Sequence, residues 1–191
     1  MTEKEKILSG EMYDPMDPEL NKGRNRARIL FQAINKMSDD LKPKRDKLFY
    51  ELIGSAGEGL WIEPPFYCDY GYNIKLGTQV FMNFNCCILD VAEVKIGDNV
   101  MLGPNVQIYT ATHPLEAKAR NSGREFAKPI SIGNNVWIGG NATICPGVSI
   151  GNNVVIGAGA VVTKDFPNDV FIGGNPAMII RSINNDELTK T

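Results

Sequence analysis

Histidine and paired cysteines are scarce in this chain of 191 residues. It has one histidine, His113, and four cysteines, none of which form a CxxC pair. Cys86 and Cys87 are adjacent, and neighbouring side chains on a strand point to opposite faces, so these two thiols would not share a metal ion. The scarcity argues against a zinc site built by the protein and favours reduced cysteines that fill small apolar spaces.

The chain also lacks an excess of charge and any long apolar run. Lys and Arg number 20 against 22 Asp and Glu, a net charge of −2, without the basic excess that binding to nucleic-acid phosphates needs. No apolar run reaches the roughly 18 residues of a membrane-spanning helix, and no apolar signal segment follows the charged N-terminus. With 43% hydrophobic residues, the sequence predicts one cytoplasmic globular domain that binds neither nucleic acid nor membrane.

The first part of the chain, residues 1–58, is predicted to form a helical cap. Apolar residues between Asp17 and Met37 are spaced as on one face of a helix, and Asp17-Pro18 suits the start of that helix. A second short helix is predicted from Pro43 to Ile53. Near residue 60 the composition changes, and Gly, Asn, Val and Ile become dominant.

A six-residue repeat determines the architecture of the second part. Every sixth residue over 132–162 is aliphatic, and glycine follows four of these six positions. Two related registers cover residues 76–88 and 96–108. This period fits neither a helix nor an alternating hairpin sheet, but it fits a parallel β-helix in which each flat side takes six residues. The sequence therefore predicts a mainly β protein with a β-helix over 59–181 and a C-terminal tail over 182–191.

Asparagine pairs and glycines mark the predicted corners of this β-helix. Asn134-Asn135 and Asn152-Asn153 each follow a glycine of the repeat. Glycine and asparagine adopt turn conformations that residues with larger side chains resist. The aliphatic residues then point into the coil, where only closely packed apolar atoms fit.

The repeat is interrupted at residues 113–128. This run is polar, and it carries no aliphatic residue at the six-residue step. An excursion of this length from a rigid coil is more often functional than not. We therefore expect a protruding loop that contributes to a functional site.

The repeat, together with Asn-Asn-Val-Trp-Ile-Gly-Gly at residues 134–140, resembles the hexapeptide-repeat acyltransferases. More narrowly, the chain is similar to the galactoside, maltose and nodulation-type sugar O-acetyltransferases over nearly its whole length. The matching stretches are Glu63-Pro64-Pro65-Phe66, Asp69-Tyr70-Gly71-Tyr72-Asn73-Ile74, Asn83-Phe84-Asn85, Thr110-Ala111-Thr112-His113-Pro114 and Gly173-Gly174-Asn175-Pro176-Ala177. The resemblance implies a left-handed β-helix, acetyl-CoA as co-substrate with no required metal, and a homotrimer whose active sites lie between subunits.

His113 stands where the repeat ends and the loop begins, and it is the candidate general base. A sugar hydroxyl needs a base to attack a thioester, and imidazole suits that proton transfer because it titrates close to neutral pH. From residue type alone, the alternative is a surface loop histidine with a satisfied hydrogen bond. In the resembling enzymes the matching histidine is the base and no acyl-enzyme forms. Asn83, expected to face outward after an inward Met82, matches a residue that contacts the acceptor or the reaction centre.

The resemblance also implies where the two substrates bind. Arg24 and Asp14 are expected to bind the acceptor because they match such residues of the family. Asp69 and Asp90 are expected to do so because they are carboxylates near the same side that suit hydrogen bonds with sugar hydroxyls, and a solvated corner carboxylate is the alternative for each. The expected coenzyme A-binding residues lie along the later coils: Trp137, Gly139, Gly140, Ala158, Thr163, Lys164 and Arg181. In the resembling enzymes the residue that matches Gly140 offers its amide to the thioester carbonyl, and Lys164 and Arg181 suit phosphates by their charge.

These observations predict an acetyl-CoA-dependent O-acetyltransferase that acts on a hydroxyl of a sugar such as maltose or glucose. One alternative keeps the fold and the donor but uses a non-sugar hydroxyl, as on an antibiotic or serine. The other alternative is a non-catalytic β-helix scaffold, against which the presence of both His113 and Asn83 speaks. The chain contains neither GxGxxG nor GxxxxGK[ST], so a nucleotide-binding fold is not expected.

Overall fold

The structure is a computed structural model that describes residues 1–184. It confirms the predicted class, a mainly β protein built as a parallel β-helix with helices at its N-terminal end. Most of the predicted C-terminal tail, residues 182–191, lies outside the described residues. Over residues 1–184, none of the helices has the length and apolar character needed to cross a bilayer.

Helices make up the first part of the chain. Their bounds are α1 (Glu3–Ser9), α2 (Pro18–Asn35), a 3-10 turn (Asp39–Leu41) and α3 (Lys42–Leu52). The Asp17 side chain caps α2 by accepting the backbone N–H groups of Glu19 and Leu20 at 2.9 and 3.1 Å, so the predicted cap is confirmed. Helix α1 was not predicted, although the pair Thr2 and Glu5 forms a reciprocal capping box at its start.

The second part of the chain is made of short strands. Within residues 1–184 their bounds are β1 (Ser55–Ala56), β2 (Trp61–Ile62), β3 (Phe66–Cys68), β4 (Ile74–Leu76), β5 (Phe81–Met82), β6 (Cys86–Leu89), β7 (Val94–Ile96), β8 (Met101–Leu102), β9 (Gln107–Tyr109), β10 (Ala111–Thr112), β11 (Phe126–Ala127), β12 (Ile130–Ile132), β13 (Trp137–Ile138), β14 (Thr143–Ile144), β15 (Ser149–Ile150), β16 (Val155–Ile156), β17 (Val161–Val162), β18 (Val170–Gly173) and β19 (Met178–Ser182). A short helix, α4 (Ala117–Arg120), lies between β10 and β11.

Three sheets form the sides of the β-helix over residues 1–184. Their strand orders are β1-β4-β7-β12-β15, β2-β5-β8-β13-β16-β18-β19 and β3-β6-β9-β14-β17. Successive strands lie on successive sides, and all neighbours within these sheets are parallel except the last pair, β18 and β19. Parallel pairing runs from Ser55 in β1 to Ile172 in β18, after which the chain reverses into the antiparallel strand β19.

The repeat fills the interior as predicted. The aliphatic residues at the six-residue step, from Ile132 to Val162, are all buried. At the corners, Asn135 and Asn153 have φ values of 57° and 58°, the left-handed conformation predicted for these pairs. Their side chains form a ladder in which Asn135 Nδ2 donates to Asn153 Oδ1 at 3.0 Å. Each coil is thus tied to the next through its corners as well as its strands.

The interruption at residues 113–128 is an excursion that returns to the β-helix. It starts after β10 and ends with β11, and these two strands pair antiparallel with each other. The returning strand also meets the N-terminal segment, because Tyr13 and Glu125 form an antiparallel bridge. The loop is therefore held between the helical cap and the strand from which it leaves.

Candidate active site

A groove of about 720 Å³ runs along the outer face of the seven-stranded sheet. Its floor is a row of side chains from neighbouring strands in register: Phe81, Met101, Trp137, Val155 and Phe171. Each of these residues stands one place before an inward-facing residue of the repeat, so alternation along the strand turns it outward. The repeat thus builds an apolar surface on the outside of the β-helix.

Glycines at one corner let the backbone itself form part of the groove wall. A Cβ atom on Gly103 would lie 2.6 Å from the Gly140 nitrogen, and one on Gly139 would lie 2.5 Å from the Ala158 nitrogen. Adjacent coils could not approach so closely with larger residues. The Gly140 N–H has no hydrogen-bond acceptor within residues 1–184, so it is available to a bound molecule.

Five of the seven residues expected to bind coenzyme A line this groove: Trp137, Gly139, Gly140, Ala158 and Arg181. Asn83, an expected catalytic residue, lines it too. The Asn83 side-chain oxygen accepts the Phe84 N–H at 2.7 Å, which fixes its orientation. The structure therefore brings these six positions together, and their roles remain predictions.

The two other expected coenzyme A-binding residues do not line the groove. Thr163 is exposed, directly after β17 on a different side of the β-helix. The Lys164 ammonium lies 5.7 Å from the centre of the Phe166 ring and 3.7 Å from Met178 Sδ. Lys164 therefore contacts β19, the strand that carries Arg181.

A second group of polar side chains, the polar cluster, lies where the helical cap meets the loop and the β-helix. We define it as Tyr13, Arg24, Asp69, Tyr70 and Glu125. Arg24 Nη1 donates to the Tyr70 hydroxyl at 2.8 Å, and the Tyr13 hydroxyl donates to Glu125 Oε2 at 2.6 Å. Arg24 also donates to the carbonyl of Pro15. Two of the expected acceptor-binding residues, Arg24 and Asp69, therefore share one cluster.

The Asp69 carboxylate is half-buried and accepts no hydrogen bond within residues 1–184. Burial raises its pKa, while the charges of Arg24 and Arg28 oppose that rise and the charge of Glu125 adds to it. A half-buried carboxylate with open acceptor positions is suited to bind hydroxyl groups of a ligand.

Asp90, expected to bind the acceptor, does not fit that role in the structure because its side chain is 0% exposed. Its Oδ1 accepts the N–H groups of Asp69 and Tyr70 at 3.1 and 2.8 Å, and its Oδ2 accepts that of Asn73 at 3.2 Å. Burial raises the pKa of this carboxyl to about 7, although these hydrogen bonds oppose the rise. Asp90 instead holds the turn that presents Asp69 and Tyr70.

Asp14, the remaining expected acceptor residue, lies next to the polar cluster on the surface. Its Oδ1 accepts the Met16 N–H at 2.8 Å, and its own N–H donates to Glu3 Oε2 at 2.6 Å. The carboxylate is exposed, so one oxygen remains open to solvent. The structure neither adds nor removes a role in acceptor binding.

His113 directly follows β10 and is exposed at the start of the loop. Its imidazole has no hydrogen-bond partner within residues 1–184, and it does not line the groove of its own chain. The structure therefore leaves the expected base apart from Asn83 within one subunit. In the described part of the chain, no group of three or more His, Cys, Asp or Glu side chains could hold a metal ion.

Sequence reasoning missed two sets of residues around the site. Phe81, Met101 and Phe171 of the groove could have been found, because each precedes an inward residue just as Trp137 precedes Ile138. Tyr13 and Glu125 carry no such signal. They are 112 residues apart and belong to no repeat.

Comparison with known proteins gives matches to both parts of the chain. Residues 6–57 match the maltose acetyltransferase hexapeptide capping motif, and residues 129–164 match the bacterial transferase hexapeptide family with its six repeats. Nodulation protein L of Rhizobium meliloti is 48% identical over 178 residues, which cover 93% of this chain and 97% of that protein.

Two solved structures share the whole architecture. A maltose O-acetyltransferase from Clostridium difficile 630 superposes with a TM-score of 0.95 at 50% identity, covering 97% of this chain and 99% of its own. A galactoside acetyltransferase in complex with coenzyme A superposes with a TM-score of 0.96 at 41% identity. The match covers 100% of this chain and 96% of that chain. With these likenesses extending over nearly its full length, the chain belongs to the hexapeptide-repeat acetyltransferases of the maltose and galactoside O-acetyltransferase type.

Proposed function

We propose that this protein transfers an acetyl group from acetyl-CoA to a hydroxyl of a sugar such as maltose or glucose. Membership of an acetyltransferase family supports the reaction class, and the coenzyme A complex of a relative supports the donor. The observation that carries the proposal is the groove, in which the unpaired Gly140 N–H, Asn83 and an apolar floor occur together. Relatives named for maltose and galactoside support a sugar as acceptor.

The groove suits the donor in shape and charge. A pantetheine chain is long and carries methylene and methyl groups beside its two amides, and the row from Met101 to Phe171 offers these groups a continuous apolar surface. Arg181, exposed at one end of that row, offers a guanidinium to the phosphates of coenzyme A. The Gly140 N–H is the donor we assign to the thioester oxygen, where negative charge develops during the reaction.

His113 acts as the general base in the proposed mechanism. Its imidazole takes the proton of the acceptor hydroxyl as the oxygen attacks the thioester carbonyl carbon. The resulting oxyanion accepts a hydrogen bond from Gly140, and collapse of the tetrahedral intermediate expels the thiolate of coenzyme A, which then takes the proton from the imidazolium. The acetyl group passes directly to the acceptor, and the enzyme returns to its starting protonation state.

A cysteine nucleophile does not suit this protein. Burial raises the pKa of the Cys86 and Cys87 thiols to about 11, so almost none of either is thiolate at neutral pH. Burial also raises the pKa of Cys68 and of Cys145. Direct attack by the acceptor therefore agrees better with these side chains than an acyl-enzyme does.

The acceptor half of the proposal uses Asp69 and Arg24 of the polar cluster and a second subunit. Asp69 has open acceptor positions and Arg24 lies beside it, so sugar hydroxyls could bind as donors and acceptors at this place. Because His113 is exposed and lies outside the groove of its own chain, we infer that it faces the groove of a neighbouring subunit. The number of subunits in this assembly, three, is what the resemblance to the family implies.

His113→Ala tests the mechanism. We expect kcat to fall by roughly 10² to 10⁴, the range for loss of a general base, while the KM for acetyl-CoA stays nearly constant. The assay follows free thiol released from acetyl-CoA with maltose, glucose, a galactoside or serine as acceptor. Lys118→Ala, an exposed change in α4 of the same loop, is the matched control.

Three outcomes contradict the proposal in different ways. If His113→Ala retains more than about a third of kcat while chemistry is rate-limiting, His113 is not the general base. Thiol release with serine and with none of the sugars replaces the acceptor class. Absence of thiol release with every acceptor favours a binding scaffold.

A further inference from the structure

Tyr13 and Glu125 form the most complete contact between the helical cap and the loop. The Tyr13 N–H donates to the Glu125 carbonyl at 2.9 Å, and the Glu125 N–H donates back at 3.2 Å. Their side chains add the 2.6 Å bond from the Tyr13 hydroxyl to Glu125 Oε2. We call these three hydrogen bonds the Tyr13–Glu125 clamp.

The clamp is connected to His113 through one strand pair. Phe126 and Ala127 follow Glu125 directly and pair with Thr112 and Ala111. His113 is the next residue along the chain. Within residues 1–184 the sheet that holds β10 contains only β10 and β11. Pairing with β11 therefore fixes the orientation of β10 and the position of His113 at its end.

The cap side of the clamp is firmly anchored. The Tyr13 side chain is 0% exposed and packs in a cluster with Ile7, Leu20, Tyr70 and Ala127. A buried hydroxyl needs a hydrogen-bond partner, and Glu125 supplies the acceptor. Removing that acceptor therefore leaves a buried donor unpaired at the point where the loop is held.

We propose that the Tyr13–Glu125 clamp positions His113 for catalysis, with Tyr13 and Glu125 acting as positioning residues. This inference rests on the proposed role of His113 as the base. A general base works only within hydrogen-bond reach of the proton that it takes, and an error of about 1 Å in its place costs rate rather than donor affinity. The clamp is thus a link by which the N-terminal cap controls the acetyl-transfer step.

Three substitutions separate the hydrogen bond from the charge and from the fold. Tyr13→Phe removes the hydroxyl, Glu125→Ala removes its acceptor, and Glu125→Gln keeps an acceptor oxygen but removes the charge. We expect the first two to lower kcat about tenfold with little change in the KM for acetyl-CoA, and Glu125→Gln to recover part of the kcat that Glu125→Ala loses, because its amide oxygen still accepts the Tyr13 hydroxyl. Tyr50→Phe is the matched control, because its hydroxyl donates to the Gly57 carbonyl at 3.3 Å, away from the loop.

Epistasis tests whether the clamp acts through His113. In a protein that already carries His113→Ala, Tyr13→Phe and Glu125→Ala should cause no further loss of kcat. An additional tenfold loss would show that the clamp acts on another part of the site, and it would overturn this inference while the proposed function stands. Nearly full activity of His113→Ala alone would remove the proposed role of His113 as the base, and with it the inference that rests on that role.

A readout independent of activity comes from the single histidine. In the untagged protein, His113 gives the only histidine Cε1–H resonance in the NMR spectrum, because the sequence has one histidine. Tyr13→Phe and Glu125→Ala should shift and broaden this signal while Glu125→Gln restores it. If Tyr13→Phe fails to fold, comparison of Glu125→Ala with Glu125→Gln still tests whether the hydrogen bond positions His113. An unchanged signal in a folded Glu125→Ala protein contradicts the inference.

Discussion

The groove and the polar cluster form two parts of one candidate site, but the chain builds them by different means. The groove uses one outward residue from each of several coils, so its shape follows from the repeat. The polar cluster joins residues from the segment before α2, from α2 itself, from a turn of the β-helix and from the loop. One part is periodic and the other depends on contacts between distant segments.

The groove and the polar cluster also differ in their electrostatics. The groove is lined mainly by apolar side chains and backbone, with Arg181 exposed at its end. In and beneath the polar cluster, burial raises the pKa of Tyr13, Asp69, Tyr70 and Asp90. Changes of pH should therefore act on the cluster and its supporting turn more than on the groove.

The largest expected effect concerns the stability contributed by Asp90. Its pKa is raised from an ordinary 3.8 to about 7, mainly by burial, so the folded state holds this proton more tightly than the unfolded state. The contribution is fully present below about pH 4 and is lost as pH rises through 7, at most roughly 4 kcal/mol. We expect the free energy of unfolding to fall as pH rises from about 4 to about 7, and Asp90→Asn to reduce that fall, measured by urea titration.

Asp98 provides the matched control in the repetitive part. It is also a turn aspartate that accepts a backbone N–H, from Thr78 at 2.7 Å, but its pKa is lowered by the hydrogen bonds from Thr78. Its contribution therefore has the opposite sign and is lost as pH falls below its ordinary pKa. If Asp98→Asn and Asp90→Asn change the pH dependence alike, burial of Asp90 is not the cause.

A smaller expected effect, on the KM for acetyl-CoA, tests which basic residues belong to the groove. Arg181→Glu places a negative charge within the groove lining, so we expect the KM for acetyl-CoA to rise roughly tenfold, equivalent to about 1.4 kcal/mol. Lys164→Glu lies outside that lining and should raise it less than about threefold. Initial rates with varied acetyl-CoA measure both values, and the KM for the acceptor should not change. If Lys164→Glu raises the KM for acetyl-CoA more than Arg181→Glu does, the binding site for the phosphates of coenzyme A lies outside the groove.

The periodic half of the site could be predicted because each residue's place follows from its register. Trp137 and Met101 face outward for the same reason that Ile138 and Leu102 face inward, and no long-range contact is needed to know this. The helical cap and the start of α2 at Asp17 were predicted from equally local signals. Such features depend on residues that are close together in sequence.

The irregular half could not be predicted in the same way. Asp90 was expected to meet the acceptor, but the turn at residues 69–73 folds over it and takes both of its oxygens. The bond between Tyr13 and Glu125 joins segments 112 residues apart. Nothing in either local sequence specifies the partner, because the contact exists only once the cap has docked on the coils.

The smallest expected effect concerns Asn135, a corner residue of the periodic part. It has a φ of 57°, and its side chain takes part in two exposed hydrogen bonds, with Asn99 at 3.3 Å and Asn153 at 3.0 Å. Asn135→Ala places a Cβ-bearing residue without a compensating side chain in the left-handed region and should lower the free energy of unfolding by about 1 kcal/mol. Asn135→Gly avoids that strain, so about half this loss or less is expected in urea titration.

Asn134→Ala separates backbone strain from the corner hydrogen bonds. Asn134 Oδ1 accepts the Asp98 N–H at 2.8 Å, whereas Asn134 is not among the residues with positive φ. If backbone strain at Asn135 dominates, Asn134→Ala should lower the free energy of unfolding by less than Asn135→Ala does. Equal losses for Asn135→Gly and Asn135→Ala would instead assign the stability of the corner to its side-chain ladder. In either case kcat should stay constant, because many equivalent corners hold the coils, whereas the polar cluster depends on single contacts.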